Sequence, residues 1–282
     1  MSWLHPCSAT RPRRLLAALA GLLCSWLVAG AGRTYTLAVI PSLPPVALHK
    51  VWVPFVRELS REAGVELELK LYDTFPAFLA DCEPGRPDFI YISPNLFFLV
   101  HGQQKYVPLV RSSVKISGLV FVRRDSAYQK ISDLHGRTIA FVGPKSVCSV
   151  ITRYALASGE GDIDYNASFS GSTINVAKSV LLGKADAGAI LDAKQAGDFV
   201  ENSPDFRVLL RTPKIAPHPL AAHPRVPREI REAVVRAVFA MATSGTGRPL
   251  LAAVGLAEPV TADFQRDYAL FGDAGYQRIQ QP

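Results

Sequence analysis

Four consecutive residues near the middle of the chain bring two hydroxyl groups and a thiol together at a predicted helix start. They are Ser146, Val147, Cys148 and Ser149. Ser146 suits the N-cap position, and apolar residues follow it at helical spacing. Backbone N–H groups in the first turn of a helix have no partner within the helix, so they can bind an oxygen-rich ligand. These residues form the centre of a predicted ligand-binding site.

Cys148 adds a soft sulfur atom to this turn. Thiols bind soft, thiophilic centres, and a helix N-terminus lowers the pKa of a thiol and so favours the thiolate. The alternative is that Cys148 is a small packed apolar residue, as most free cysteines are. Cys82 ends another predicted helix, and we expect it to pack in the core rather than to form a disulfide with Cys148.

Apolar strand-like segments alternate with amphipathic helical segments along most of the chain. One series runs from the strand at residues 35–40 to the strand at 106–111, and a second runs from 117–123 to 206–210. Such alternation predicts α/β units built on mostly parallel sheets. Ligands of these sheets lie at the carboxyl ends of the strands, where loops lead into helices.

The two series predict an α/β protein of two lobes joined by two crossing segments. Residues 32–116 are expected to form the first part of lobe 1, and residues 117–215 to form lobe 2. Residues 216–282 are expected to return to lobe 1, with their helices packed on it. Two lobes joined in this way can close on a ligand by hinge motion.

Residues 1–31 have the pattern of an export signal. Three arginines precede an apolar run at residues 15–28, and small residues at 29–31 form a cleavage site, so we expect cleavage near Ala31 and a periplasmic location. A lipoprotein signal ending at Cys24 and a twin-arginine signal at Arg13 and Arg14 fit their flanking residues less well. Cleavage removes three arginines and no acid, so the net charge falls from +7 to +4.

This mild charge and the absence of familiar catalytic patterns exclude several classes of function. The chain has no dense basic run interleaved with aromatic residues, so no nucleic-acid surface is expected. It has no Gly-x-Ser-x-Gly motif, no zinc triad and no paired carboxylates in a motif, so neither an enzyme nor a bound cofactor is expected. His218 and His223 are close in sequence, but a metal site would need a third ligand.

Several short motifs occur in an order typical of one protein family. The fullest is ISDLHGRTIA at residues 131–140; the others are VIPS at 39–42, DFIYISP at 88–94, SGS at 170–172 and GKADAG at 183–188. Their order resembles the phosphonate- and phosphite-binding, PhnD-like branch of the type II periplasmic binding proteins. The resemblance covers most of the chain after the signal, and it implies a binding protein for a small oxyanion.

The predicted binding turn departs from that family. Family members carry Ser-Thr-Ser there, and these residues hold the phosphonate oxygens; the matching residues here are Ser146, Val147 and Cys148. A family histidine after Gly-Ser is replaced by Thr173. These changes resemble an arsenite-sensing, AioX-like subgroup, whose members bind arsenic through a cysteine in this turn. The resemblance then implies that Cys148 is the arsenic ligand.

Further candidate ligand-binding residues lie on loops and helix starts at the same predicted edge. They are Tyr91, Asn95 and Phe97 in lobe 1, and Ser149, Thr173 and Asp192 in lobe 2. The subgroup resemblance implies capture of arsenite and signalling to the periplasmic domain of a sensor histidine kinase that regulates arsenite oxidation. The alternative is the substrate-binding component of an ABC transporter for phosphate, phosphite or phosphonate, with an ABC permease as the partner.

Overall fold

A computed structural model describes residues 1–3, 33–158, 162–192 and 200–280. The chain divides into Met1–Arg33 and Thr34–Pro282, and the second unit is the folded body described below. Nearly all of the predicted export signal, with Cys24 and the cleavage site at Ala31, lies outside the described residues. Most of the helix expected over 192–199 does so as well. Among the described helices, none has the length and apolar character needed to cross a membrane.

The strands alternate with helices, as the sequence predicts. In chain order they are β1 (Tyr35–Val39), β2 (Leu67–Lys70), β3 (Phe89–Tyr91), β4 (Val107–Ser112), β5 (Gly118–Arg123), β6 (Thr138–Phe141), β7 (Asn166–Phe169), β8 (Ala187–Leu191), β9 (Phe206–Arg211), β10 (Leu220–Ala222) and β11 (Pro259–Thr261).

The described α-helices follow most of the parallel strands and form the C-terminal part of the chain. They are α1 (Pro45–Ala63), α2 (Phe75–Cys82), α3 (Pro94–Gln104), α4 (Val147–Ala157), α5 (Thr173–Leu181), α6 (Arg228–Thr243), α7 (Gly247–Ala253), α8 (Phe264–Asp267) and α9 (Ala274–Gln280). Short 3-10 turns occupy Ile131–Leu134 and Ala269–Gly272.

These strands form two separate sheets, which confirms the predicted two-lobed α/β fold. The lobe 1 sheet has the order β11-β4-β10-β3-β1-β2, and the lobe 2 sheet has the order β7-β6-β8-β5-β9. Each sheet has three adjacent parallel strands, β2-β1-β3 and β7-β6-β8. The other neighbours pair antiparallel, so the sheets are mixed rather than mostly parallel. In four of these five pairs one strand is β5 or β10, and each of these enters its sheet directly from a crossing without an intervening helix.

The cores follow from the alternation of side chains along the strands. In β5, Leu119 and Phe121 belong to one apolar cluster of lobe 2, whereas Val120 and Val122 belong to another. Both faces of this strand are therefore buried, as in sheets covered by helices on each side. Cys82 is fully buried in the lobe 1 core, which confirms its predicted packing role.

The two crossing segments pair with each other between the lobes. The Ile116 N–H donates to the Ile215 carbonyl at 3.0 Å, and the Ile215 N–H donates to the Ile116 carbonyl at 2.8 Å. This isolated antiparallel bridge joins the chain that leaves lobe 1 to the chain that returns.

The C-terminal helices contact lobe 2 as well as lobe 1, on which the sequence places them. In α8, the Phe264 ring stacks on His101 of α3 at 3.7 Å, in lobe 1. In α9, the Tyr276 ring stacks on Tyr154 of α4 at 3.8 Å, in lobe 2. The sequence shows that α9 has an apolar face, but the partner of that face is far away in the chain.

The close packing of α4 against β5 depends on Gly118, and this gives a first prediction. A Cβ at Gly118 would overlap the Thr152 hydroxyl of α4 and lie 3.2 Å from Thr212 Cγ2. Gly118→Ala should therefore lower the free energy of unfolding by about 1–3 kcal/mol, as overpacking does in cores. Urea denaturation measures this change.

Gly102→Ala is the matched control. Gly102 lies inside α3 and a Cβ there meets nothing within 4 Å, so alanine should leave stability unchanged or raise it by up to about 1 kcal/mol. Equal effects of the two substitutions would show that α4 does not depend on the close approach at Gly118.

Candidate functional site

A cavity of about 210 Å³ lies between the two lobes, at the carboxyl ends of parallel strands. Both lobes contribute to its wall, as the sequence predicts for a ligand site in α/β sheets. The lining residues are Ile40, Pro41, Ser42, Phe75, Ser93 and His218 from lobe 1 and the return crossing, and Val142, Ser146, Val147, Cys148, Gly171, Ser172, Thr173 and Leu191 from lobe 2.

Several helices begin at this cavity. Ser93, Ser146 and Ser172 are the N-cap residues of α3, α4 and α5, and Phe75 is the first residue of α2. The N-terminal ends of helices carry partial positive charge and unpaired N–H groups. The cavity therefore combines a positive potential from peptide dipoles with hydroxyl side chains.

The predicted binding turn is organised by its first serine. Ser146 Oγ accepts a hydrogen bond from the Ser149 N–H at 3.3 Å and lies 2.7 Å from Ser149 Oγ. Ser146 and Val147 line the cavity, whereas Ser149 is fully buried and does not. Ser149 thus stabilises the start of α4 behind the cavity wall.

Cys148 lines the cavity but belongs mainly to the lobe 2 core. It is 2% exposed and packs in the same apolar cluster as Val120, Phe141 and Leu156. Burial raises the pKa of its thiol to about 12, and the nearby Thr152 side chain lowers it by less. The predicted lowering of this pKa is therefore wrong, because loss of solvent outweighs the helix N-terminus.

Thr173 lines the cavity at the first position of α5. The cap of this helix is Ser172, whose Oγ accepts a hydrogen bond from the Asn175 N–H at 3.2 Å. The Thr173 side chain is therefore not used for capping, and it is part of the cavity wall.

Three other predicted site residues lie away from the cavity wall. Tyr91 is 8% exposed and packs on Trp52, with ring centroids 4.8 Å apart. Phe97 is fully buried and packs edge-on against Tyr268. The Asp192 carboxylate accepts a hydrogen bond from Ser117 Oγ at 3.1 Å and pairs with an arginine, Arg211. Each of these side chains is engaged in packing or pairing instead.

Asn95 connects the two lobes behind the cavity wall. It lies in the first turn of α3 and is fully buried. Its Nδ2 donates to the Lys145 carbonyl of lobe 2 at 3.0 Å and to Gln280 Oε1 of α9 at 3.4 Å. Lys145 directly precedes Ser146, so this side chain ties the binding turn to lobe 1.

Four polar residues of the wall, Ser42, Ser93, Ser172 and His218, are not among the site residues predicted from the sequence. Ser93 is 3% exposed, and its Oγ has no hydrogen-bond partner within the described part of the chain. His218 was considered only with His223 as a metal pair. His223 instead packs edge-on against Tyr106, and the described residues contain no group of three metal ligands. The position of Ser93 directly before a helix was the available signal.

A larger cavity, of about 530 Å³, lies elsewhere along α4. Ile151 and Tyr154 of α4, Leu210 of β9 and Tyr276 of α9 contribute to its lining. It includes none of the predicted site residues. The interlobe cavity is therefore the better candidate, because the helix starts and hydroxyl groups meet there.

Two lobes with a ligand-sized cavity at converging helix starts define a solute-binding protein. The chain belongs to the family described as "ABC transporter, phosphonate, periplasmic substrate-binding protein", whose model matches residues 37–268. Membership implies a periplasmic location and a solute-binding role. No curated protein sequence matches the chain.

Solved structures share this fold at low sequence identity. PhnD1 from Prochlorococcus marinus in complex with methylphosphonate has a TM-score of 0.76 at 14% identity, covering 88% of this chain and 99% of that one. XAC2383 from Xanthomonas citri bound to chloride has a TM-score of 0.71 at 19% identity, covering 88% and 98%. A binding component of a Pseudomonas aeruginosa ABC phosphonate transporter has a TM-score of 0.68 at 14% identity, covering 88% of both chains.

The burial of Cys148 predicts that its thiol reacts slowly with alkylating reagents. With a pKa near 12 rather than 9, the native protein at pH 8 should hold about a thousandth of the usual thiolate at this position. Alkylation by iodoacetamide, followed by mass spectrometry of the peptide containing Cys148, measures the rate. The same peptide in guanidinium-unfolded protein is the control. Equally fast labelling of native and unfolded protein would contradict the buried thiol.

The position of Asn95 predicts a loss of stability on its removal. Asn95→Ala deletes one hydrogen bond to lobe 2 and one to α9, and should lower the free energy of unfolding by about 1–2 kcal/mol. Asn175→Ala is the matched control, because Asn175 is exposed and its Nδ2 donates only to a nearby carbonyl, that of Ser170. Guanidinium denaturation compares the two, and equal losses would show that the link between the lobes adds no stability.

Proposed function

We propose that this chain is the substrate-binding component of an ABC transporter and binds a small phosphonate or related tetrahedral oxyanion in the interlobe cavity. The observation that carries the proposal is the meeting of helix starts from both lobes around serine and threonine hydroxyls. Such groups donate hydrogen bonds to oxyanions, and the helix dipoles favour negative charge.

The size of the cavity supports a small ligand. Drug-sized ligands occupy pockets of about 300–1,000 Å³, whereas this cavity holds about 210 Å³. The apolar wall residues Ile40, Phe75 and Val147 offer a surface for a short carbon substituent. Hydroxyl groups together with a limited apolar surface suit a phosphonate with a small organic group.

Ligand capture would stabilise the closed arrangement of the lobes. A ligand that contacts Ser93 in lobe 1 and Ser146 in lobe 2 binds this arrangement better than an open one, and so shifts the population toward it. The closed surface is what an ABC permease would recognise. The export signal at residues 1–31, cleaved near Ala31, is part of the same proposal.

Arsenite is the second candidate ligand, favoured by the presence of Cys148 in the cavity wall. Arsenite is neutral near pH 7 and thiophilic. Its binding would therefore need neither a positively charged side chain nor a set of hydrogen-bond donors arranged around an anion. The partner in that case would be the periplasmic domain of a sensor histidine kinase that regulates arsenite oxidation. The low exposure of Cys148 and the raised pKa of its thiol favour the oxyanion.

Isothermal titration calorimetry with methylphosphonate, phosphite, phosphate and arsenite separates the two candidates. Methylphosphonate should bind, and Ser146→Ala should weaken it at least about tenfold, because a charge-assisted hydrogen bond contributes about 1.5–3 kcal/mol. Cys148→Ser should change this affinity by less than about threefold, since the thiol contributes no strong hydrogen bond. Ser158→Ala, at the opposite end of α4, is the control and should leave affinity unchanged.

Binding of arsenite alone, with its affinity lost in Cys148→Ser, would overturn the oxyanion proposal and support the sensor. Binding of methylphosphonate with equal affinity in the wild type and in Ser146→Ala would place the ligand away from the predicted turn.

A further inference from the structure

His218 is held firmly at the cavity wall. It lies between two prolines, Pro217 and Pro219, in the return crossing directly before β10. The Tyr268 hydroxyl donates to the Pro217 carbonyl at 3.1 Å, and the Ile92 N–H donates to the Pro219 carbonyl at 3.4 Å. Backbone hydrogen bonds on both sides therefore fix the position of this ring.

One face of the ring is covered, and the residue contributes to the cavity lining. It stacks on Tyr91 with centroids 5.6 Å apart and planes at 19°, and it remains partly exposed. Within the described part of the chain, no side-chain or backbone group is hydrogen-bonded to its ring. A ring nitrogen is thus available to a molecule in the cavity.

The rest of the described wall offers an anion no full positive charge. Of the described lining residues, none is lysine, arginine, aspartate or glutamate, and only His218 and Cys148 titrate. Ser93 Oγ, buried and without a partner in that same part of the chain, lies on the same wall. Besides the helix dipoles and hydroxyl groups, this wall therefore contains one residue that can become a cation, His218.

Although part of the ring is exposed, the protein packed around it removes most of its solvent, which lowers the pKa of His218 to about 4 and keeps it neutral before binding. The titratable groups around it are Tyr91, Tyr268 and Cys148, and burial raises the pKa of each, so all are uncharged at pH 7. Behind Tyr268, the Asp267 carboxylate pairs with Arg111 at 2.9 Å and with Arg266 at 2.7 Å, and none of these charges shifts the pKa of His218. An anion in the cavity would therefore be the dominant charge near the ring.

We propose that His218 takes up one proton when an oxyanion enters the cavity, so that the anion is bound together with its own countercharge. The inference rests on the proposed function and deepens it, because it states how an uncharged wall selects for an anion. A neutral ligand such as arsenite would cause no such uptake.

The pH dependence follows from the sign of this change. The bound anion raises the pKa of His218 above its low value in the free protein, since opposite charges favour the protonated ring. Between the free and bound values, binding requires a proton, so affinity falls up to about tenfold for each unit of rising pH.

Calorimetry of methylphosphonate binding at pH 7 tests the inference, in buffers of low and high ionisation enthalpy. The difference in heat gives the number of protons taken up. The wild type should take up about one proton more than His218→Gln, which keeps a hydrogen-bonding side chain but does not titrate in this range. His223→Gln, a histidine outside the cavity lining, should match the wild type.

Nitrogen NMR of histidine-labelled wild-type protein gives a second measurement that needs no folded variant. On saturation with methylphosphonate at pH 7, one imidazole should change from neutral to protonated. Unchanged neutral imidazoles, or equal proton uptake by the wild type and by folded His218→Gln, would overturn the inference and leave the proposed function standing. Absence of any oxyanion binding by the wild type would overturn both.

Discussion

The unpaired N–H groups at the helix starts are the constraint on which the site depends. In a β–α unit the helix begins just beyond the carboxyl end of a parallel strand, so β3, β6 and β7 place the starts of α3, α4 and α5 at the cavity. Ser146 and Ser172 satisfy part of this requirement as caps. Ser93 holds the same position before α3 but makes no cap bond, so its hydroxyl remains free for a ligand.

Desolvation acts in the same direction on both titratable residues of the described wall. It raises the pKa of Cys148 from 9 to about 12 and lowers that of His218 from 6.5 to about 4. Each shift favours the neutral form and corresponds to several kcal/mol, whereas a helix dipole typically contributes about 0.3–1 kcal/mol. The wall is therefore uncharged before a ligand arrives, and its positive potential comes from peptide dipoles. This explains why the position of Cys148 at a helix start did not predict the direction in which the pKa of its thiol shifts.

Local periodicity predicted the strands β1 to β9, most of the helices between them and the two lobes, but not β10 and β11. The β-branched run before Gly143 and the serine after it gave β6 and α4 directly, since strands and caps depend on neighbouring residues. The role of Asn95 could not be found in this way, because Lys145 and Gln280 are 50 and 185 residues away in the chain. His218 was missed for the same reason. Its meaning comes from a cavity wall assembled from separate segments and from the low exposure of its surroundings.

The turn that forms the site is positioned from two directions. On one side, the absence of a side chain at Gly118 lets α4 lie close to β5. On the other, Tyr276 stacks on Tyr154, and a Cβ at Gly275 would come within 2.7 Å of the same ring. The C-terminal segment that supplies Tyr276 also contacts lobe 1 through Phe264. If one lobe moves relative to the other, the C-terminal segment must therefore lose its contacts with one of them or move as well. The Asn95–Lys145 hydrogen bond is subject to the same constraint. The proposed ligand, held by Ser93 and Ser146, would stabilise the same arrangement of the lobes that these contacts favour.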